Sequence, residues 1–374
     1  MTLTIKKMEA TDRILWDEYV INHPQATLYH LSNWKDIIEG VYGHKTFYLI
    51  AMDSSKIKNG KSEQKSKFYN NNSNIAGILP LTHLNSIIFN NSLISIPFFD
   101  LGGVLADNED IEKELILEAV NIGQELKVDN IELRHTKPLN FIQDLRLKNQ
   151  NLGYETRAHK VRMLLQLPDS SGELMKSFKS KLRSQINKPV KEGLKSKTGG
   201  IELLDDFYQV FTVNMRDLGS PVHSKKILEK VLVEFSESAR MVIVYKGTLP
   251  LAGSIIIGFN KILENPWASS LRDYSRLSPN MLLYWTMLEY ACDNEFEIFD
   301  FGRSSPDEGT YRFKEQWGAT PTPLSWQYIY LNGGPQNEDK DEKSKFDAAI
   351  RYWQKLPVWV TRIIGPMIRK NIGL

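Results

Sequence analysis

Residues 241–259, MVIVYKGTLPLAGSIIIGF, constrain the fold more than any other stretch of this chain. An apolar run of this length is either a bilayer span or two buried strands. Lys246, Gly247 and Pro250 fall in its middle and split it into a hairpin. No other apolar run comes closer to the length a bilayer requires. The first residues, MTLTIKKMEATDRILW, lack the apolar core of a signal peptide. The single cysteine, Cys292, excludes an intramolecular disulfide and sits in an apolar helical stretch, as a small core residue would. The expected setting is cytoplasmic.

A chain of 374 residues is long enough for two domains. Strand patterns fall at 47–52, 74–84, 92–97, 101–106, 130–135 and 160–168, with an amphipathic helix over 109–127. That helix repeats Ile111, Leu115, Ala119, Ile122 and Leu126 at helical spacing. Residues 53–74, biased to Lys, Ser and Asn, read as a long hairpin loop. The second half is expected to have helices at 171–196, 205–218, 223–236 and 279–294. Its strands are expected at 240–246, 251–260, 264–271, 297–302 and 323–331. Both halves thus run helices, strand meander, helix, strand. This makes an α+β chain with lobes at 1–165 and 166–331, then a linker and basic aromatic tail over 332–374.

The net charge of +2 favours no particular partner, so any basic patch must be local. Nothing points to DNA. There is no P-loop, Rossmann glycine triplet, paired-cysteine zinc site or HExxH motif, and the seven histidines lack metal-ligand spacing. Three stretches remain. The first is SFKSKLRSQINKPVKEGLKSK (177–197), in which Phe178, Leu182, Ile186 and Val190 continue a fourth-residue apolar stripe from Leu174. Arg183, Lys188 and Lys191 are among the cations on its other faces. It is either a solvated basic helix or a site for phosphate or a polyanion. Pro189 is expected to bend it near Gln185.

The second stretch, 265–296, has Ser278 as N-cap and Pro279 at the first turn of a helix, beside Arg272 and Arg276. Backbone N–H groups with arginines make a corner suited to an anion, which Tyr274 and Tyr284 could line. The third, FDFGRSSPDEGTYRFKEQWGA (299–319), brings Arg303 to the end of a buried strand. Gly309 is read as allowing close backbone approach. Tyr311, Phe313 and Trp317 surround Lys314. Lys314 either snorkels from an aromatic patch or holds its charge at a developing oxyanion.

Taken in order, KLRSQINKPVKEG, WASSLRDYSRLSPNMLLYW and FDFGRSSPDEGTYRFKEQWGA resemble the FemAB-like branch of the GNAT acyltransferase superfamily. LLDDFYQVFTVNMRDLGSPV (203–222) and LPVWVTRIIGP (356–366) add to the likeness. More narrowly, they resemble FemAB-related proteins associated with exosortase/PEP-CTERM systems in Gram-negative bacteria. The resemblance covers nearly the whole chain and is strongest from about 160 to 330. It implies two GNAT-like lobes, each a mixed, mostly antiparallel sheet flanked by helices.

It also implies an N-acyltransferase that moves an acyl or aminoacyl group to an amine of a cell-envelope or exopolysaccharide precursor. The donor would be aminoacyl-tRNA or acyl-CoA, with no tightly bound cofactor and no metal. The precursor would be a small molecule or lipid-linked, with tRNA a candidate partner. Lys314, Phe313 and Arg303 would be catalytic. Arg183, Lys188, Lys191, Arg272, Tyr274, Tyr284 and Tyr311 would bind substrate. Asp273 and Asp300 are candidate bases, although Asp300 could instead pair with Arg303. Alternatives are a CoA-dependent GNAT acetyltransferase, or a non-catalytic precursor- or tRNA-binding protein of the same system. The tail, IRYWQKLPVWVTRIIGPMIRKNIGL, contains tryptophans, aliphatics and cations without an acid. It reads either as a helix packed on the domain or as a peripheral contact with the inner membrane.

Overall fold

The structure, a computed structural model, describes residues 3–57, 74–86, 90–142, 152–334 and 340–373. Most of the loop expected over 53–74, and part of the linker expected over 332–347, lie outside these residues. The chain forms two compact units. One comprises Met1–Ala158, Leu324–Pro335 and Ile372–Leu374, and the other His159–Pro323 and Gln336–Asn371.

The first unit runs β1 (Leu3–Lys7), α1 (Arg13–Asn22), α2 (Asn33–Tyr42), β2 (Lys45–Thr46), β3 (Leu49–Asp53) and β4 (Ile75–Leu79). Next come β5 (Thr82–Ser86), β6 (Asn90–Ile94), β7 (Leu105–Ala106), α3 (Glu109–Leu126), β8 (Asn130–His135) and β9 (Gly153–Arg157). One sheet has the order β1-β3-β4-β7. Helix α3 forms where its periodicity predicts. Asn108 caps it by accepting from the Ile111 N–H at 3.1 Å, and Glu109, Asp110 and Glu112 place negative charge at its positive end. Its apolar side buries Ile111, Leu115, Ala119 and Ile122. Gly77 of β4 leaves room for it, since a Cβ there would lie 2.8 Å from Cγ2 of Ile111.

The other sheet of this unit reads β2-β5-β6-β8-β17-β9, where β17 is Ser325–Tyr330. The sequence reading assigns this last strand to the second lobe. It instead pairs antiparallel with β8, from Ser325↔His135 to Tyr330↔Asn130, and with β9 on its other side. Alternating apolar residues mark a strand and its buried side. They do not specify which distant backbone completes its hydrogen bonds. Trp326 makes the pairing specific: its indole donates to the Asp100 carbonyl at 3.0 Å, and the Arg134 guanidinium lies over its ring at 4.9 Å.

The second unit begins with β10 (Val161–Gln166), α4 (Ser171–Ser177), α5 (Ser180–Lys191), β11 (Leu194–Gly199), α6 (Leu204–Leu218) and α7 (Lys225–Glu234). It continues with β12 (Ala239–Lys246), β13 (Leu249–Phe259), β14 (Ile262–Ser270), α8 (Pro279–Asp293), β15 (Ile298–Ser304), α9 (Gly309–Glu315) and β16 (Thr320–Pro323). Two helices, α10 (Lys340–Trp353) and α11 (Val358–Arg369), end it. The sheet order is β11-β12-β13-β14-β15-β10-β16. The hairpin read from 241–259 lies inside this sheet as β12 and β13, closing at Lys246↔Leu249.

The single long helix expected over 171–196 is three elements. Phe178 and Lys179 take extended backbone and break it, and α5 then includes Pro189 within its length. Leu174, Phe178, Leu182 and Ile186 are buried as expected. Val190 is exposed, and Pro189 takes the inward position. The lysine-rich LKSKTG becomes strand β11, an edge strand paired only with β12. Its solvated polar pattern carries no period-2 apolar signal, and lysines blunt an edge against further pairing.

All pairings in the second unit's sheet are antiparallel except β14–β15, which is parallel and joined through α8. That parallel contact spans only Ile262↔Ile298 to Glu264↔Asp300, after which the two strands part. Arg162 sits at the fork. Its Nε donates to Oδ2 of Asp300 at 2.5 Å and its Nη2 to Oε1 of Glu264 at 3.4 Å, so one guanidinium ties β10, β15 and β14 together. All three side chains are buried. Arg162→Met would leave two carboxylates buried without their cation, an expected loss of about 3–5 kcal/mol by chemical denaturation. Adding Asp300→Asn and Glu264→Gln should recover part of it. An unchanged unfolding midpoint in the single variant would show that the fork does not depend on this ion triad.

Candidate active site

The opening between β14 and β15 is built by two local irregularities. In β14 the register to β13 slips: Ile255 faces Trp267 while Ile257 faces Glu264, so one extra residue bulges at 265–266. In β15, Gly302 takes φ +77°, a conformation that favours glycine, and its N–H donates to Oδ1 of Asp300 at 2.8 Å. Beyond Glu264 and Asp300 the two strands make no further ladder pairs, so their facing edges do not satisfy each other in the sheet pattern.

Lys314 lies at the β15 side of this opening. It is only 7 % exposed, and its Nζ donates to the carbonyls of Gly302 at 3.0 Å and Arg303 at 2.7 Å. Of the two sequence-level readings, snorkelling is therefore overturned. A snorkelling ammonium reaches water, whereas this one is drawn inward by two carbonyls. Phe313 and Trp317, expected as anchors of its helical turn, pack into an aromatic cluster. Tyr284 stacks on Phe301 with ring centroids 5.4 Å apart and meets Phe313 edge-on at 5.0 Å, with Trp317 at 6.4 Å. Burial pushes the Tyr284 phenol up to about 12, against the pull of the neighbouring Asn265 amide. Tyr284 is therefore neutral at physiological pH. Asn265 in turn accepts from the Ser254 hydroxyl at 2.6 Å, which fixes the bulge residue.

Arg303 is half-buried, on the strand position facing Arg162 of β10, and its carbonyl anchors Lys314. Tyr311 is half-buried against the same core. Asp300 pairs with Arg162 rather than Arg303 and also accepts from Gly302, so it is held as a structural anion and is removed as a base. Asp273 is exposed on the short helical turn Arg272–Leu277. Gly309 has open space around the position of a Cβ, so no close approach explains it.

The second group of expected residues collects at the start of α8. Nζ of Lys188 donates to the Arg276 carbonyl at 2.6 Å and ties α5 to the 272–277 turn. Arg272 is exposed on that turn, and Tyr274 packs on the core. Ser278 precedes the helix in a left-handed conformation with φ 58°, and its side chain makes no capping bond. Pro279 opens the helix as expected. From there to Tyr284 is about 7.5 Å along the axis, so α8 joins this corner to the aromatic mount. Arg183 and Lys191 are exposed on α5. Separately, an open groove of about 850 Å³ lies between α4, α5 and α9, with Lys179, Lys181 and Arg312 on its walls. Lys314 does not line it.

Sequence reasoning missed Arg162, Glu264, Asn265 and Ser254. The only signal was a polar or charged residue inside otherwise apolar strands. The hydroxyl of Ser304, at the end of β15, is likewise buried without a hydrogen-bond partner among the described residues.

Residues 176–315, which hold nearly all of this geometry, match the family model described as an acetyltransferase (GNAT) domain. The structure named FemX superposes with a TM-score of 0.62 at 15% identity, over 87% of this chain and 97% of that one. The C-terminal domain of a protein described as a lysylphosphatidylglycerol synthetase of Agrobacterium fabrum gives 0.55 at 11% identity, over 91% and 95%. A tandem GNAT protein from the clavulanic acid biosynthesis pathway gives 0.50 at 10% identity, over 90% and 100%. No curated protein matches the sequence. The chain therefore has a two-lobed GNAT-like fold of mixed sheets flanked by helices. The segment that matches the GNAT domain model lies wholly in its second unit.

Cys292 lies within that segment, on α8. Burial, with Asp293 beside it, pushes its thiol up to about 11. Iodoacetamide at pH 8 should label the folded chain about two orders of magnitude more slowly than the unfolded chain, because thiolate and access are both withheld. This is the chain's only cysteine, so the readout is unambiguous. Equal rates would show an accessible, activated thiol.

Proposed function

We propose that this protein is an N-acyltransferase that moves an acyl or aminoacyl group directly from a carrier to an amine. The observation that carries this reading is the fork between β14 and β15, with the cation of Lys314 fixed at its edge. An extended donor arm could enter such a fork as an added strand, pairing with backbone groups that the parting strands expose. Its carbonyl would then stand near the end of β15. The acceptor nitrogen attacks that carbonyl, and the C–O π electrons move to oxygen. Collapse of the oxyanion expels the carrier's thiolate or ribose alkoxide, and the proton lost by the acceptor nitrogen passes, directly or through solvent, to that leaving group. Each atom and charge is accounted for without a covalent enzyme intermediate, consistent with the inert Cys292.

Lys314 contributes positive potential where the oxyanion forms. The packing of Phe313 on Tyr284 braces the helical turn that bears it, and the β15 carbonyls aim its head. Arg272, with Lys188 bracing its turn and Arg183 and Lys191 nearby on α5, would meet an anionic part of donor or acceptor. Tyr274 and Tyr311 would flank the bound substrate. The sequence resemblance supports a cell-envelope or exopolysaccharide precursor as acceptor and an exosortase-associated role. A second reading, acyl-CoA as donor in place of aminoacyl-tRNA, is favoured by the narrow fork itself. A pantetheine-like arm is extended and amide-bearing, and it suits strand-like pairing.

Lys314→Met should lower turnover by about 10²–10³, the usual consequence of losing one oxyanion-stabilising group. The check is single-turnover transfer from radiolabelled acyl-CoA and aminoacyl-tRNA to amine-bearing envelope precursors, with donor binding and melting measured alongside. Lost turnover with intact binding and melting supports the assignment. Turnover equal to that of the unmodified chain would sink it.

A further inference from the structure

The last helix turns its apolar side outward. Within the second unit α11 rests on α6 through small residues. Thr361 and Gly365 are buried, and a Cβ on Gly365 would lie 3.1 Å from Val222. Arg369 fixes its end by donating from Nε to Nε2 of His223 at 3.0 Å. The opposite side carries Trp359, Ile363 and Met367, spaced one turn apart and 68 %, 63 % and 66 % exposed. Tyr352, at the end of α10, is 70 % exposed. A helix packed only for stability buries its large apolar residues and shows its polar ones to water, so this arrangement is inverted. Exposed hydrophobics scattered singly would need no explanation, but a helical row of them marks an interaction surface.

Charge identifies what covers it. Residues 348–374 contain Arg351, Lys355, Arg362, Arg369 and Lys370 and no acid. Arg351 and Lys355, just before α11, are exposed, whereas the Arg362 guanidinium lies over the Tyr208 ring of α6 at 5.3 Å. A second copy of the chain meeting this face about a two-fold axis would bring like charges together. An anionic bilayer satisfies both features at once, because its phosphates meet the cations and its acyl boundary receives the apolar row. Among the described residues no helix is long and apolar enough to cross a membrane, so α11 would lie in the plane of the surface.

We propose that α11, with the end of α10, seats this protein on an anionic lipid surface. Trp359, Ile363 and Met367 enter the headgroup boundary, and Arg351 and Lys355 face lipid phosphates. This goes beyond acyl transfer and does not depend on it.

The test is flotation of the full chain with phosphatidylcholine vesicles, with and without roughly 30 % phosphatidylglycerol as the anionic component. The chain should float with the anionic vesicles only, and less in high salt. Lys355→Gln should lower partitioning about fivefold, the weight of one cation near such a surface. Trp359→Ser, Ile363→Ser and Met367→Ser together should abolish flotation with melting unchanged, since all three side chains face solvent. Two results overturn the proposal. One is absent or equal flotation of the unmodified chain and the triple variant. The other is a solution dimer that the triple variant converts to monomer, which would make the row a self-association face.

Discussion

The second unit depends on where two parallel strands stop touching. Arg162, Asp300 and Glu264 hold β10, β15 and β14 together at the last residues where β14 and β15 pair. A buried guanidinium with two carboxylates is costly to desolvate, and its geometry must be kept if it is not to destabilise the sheet. That requirement pins the fork to one register. Below it the sheet is continuous, and above it the bulge at 265–266 and the positive φ of Gly302 turn the strands apart. The opening is thus a consequence of a defined anchor, not of loose packing.

Lys314 follows from the same geometry. Gly302 bends β15 so that its carbonyl and that of Arg303 converge on one ammonium. The lysine then has two effects, satisfying the end of the strand and placing positive charge beside the gap. The aromatic residues brace the helical turn that bears it. Phe301 comes from β15, Tyr284 from α8, and Phe313 from the same turn as the lysine. Helix α8 thus packs against both the strand and the turn that meet at one cation.

Much of this was legible beforehand. The 241–259 hairpin, the helix at 109–127 and the proline-started helix at 279 form where period and punctuation place them, because those signals are local. The reading failed where partners are non-local or the pattern is polar. LKSKTG showed no apolar alternation, yet it forms an edge strand because β12 offers it a backbone ladder. The strand at 325–330 was recognised as a strand but assigned to the wrong lobe, since register with β8 and β9 is decided by hydrogen bonds and by the seat of Trp326. At the site, Lys314, Phe313 and Tyr284 could be named from sequence. Arg162 and Asn265 could not, because one unusual residue inside a strand does not announce its neighbours.

By itself the sequence determined two α+β halves, a single cysteine in an apolar helical stretch, and a lysine set among aromatics in 299–319. It also determined an acid-free basic tail. These follow from composition and short-range periodicity, which act within a few residues. Only the tertiary structure decided that Lys314 turns inward to backbone carbonyls, that Asp300 belongs to Arg162, and that α11 presents Trp359, Ile363 and Met367 to solvent. Each of those outcomes depends on which distant surface arrives first to bury an apolar face or satisfy a polar group. Side-chain type limits that competition, and the assembled fold settles it.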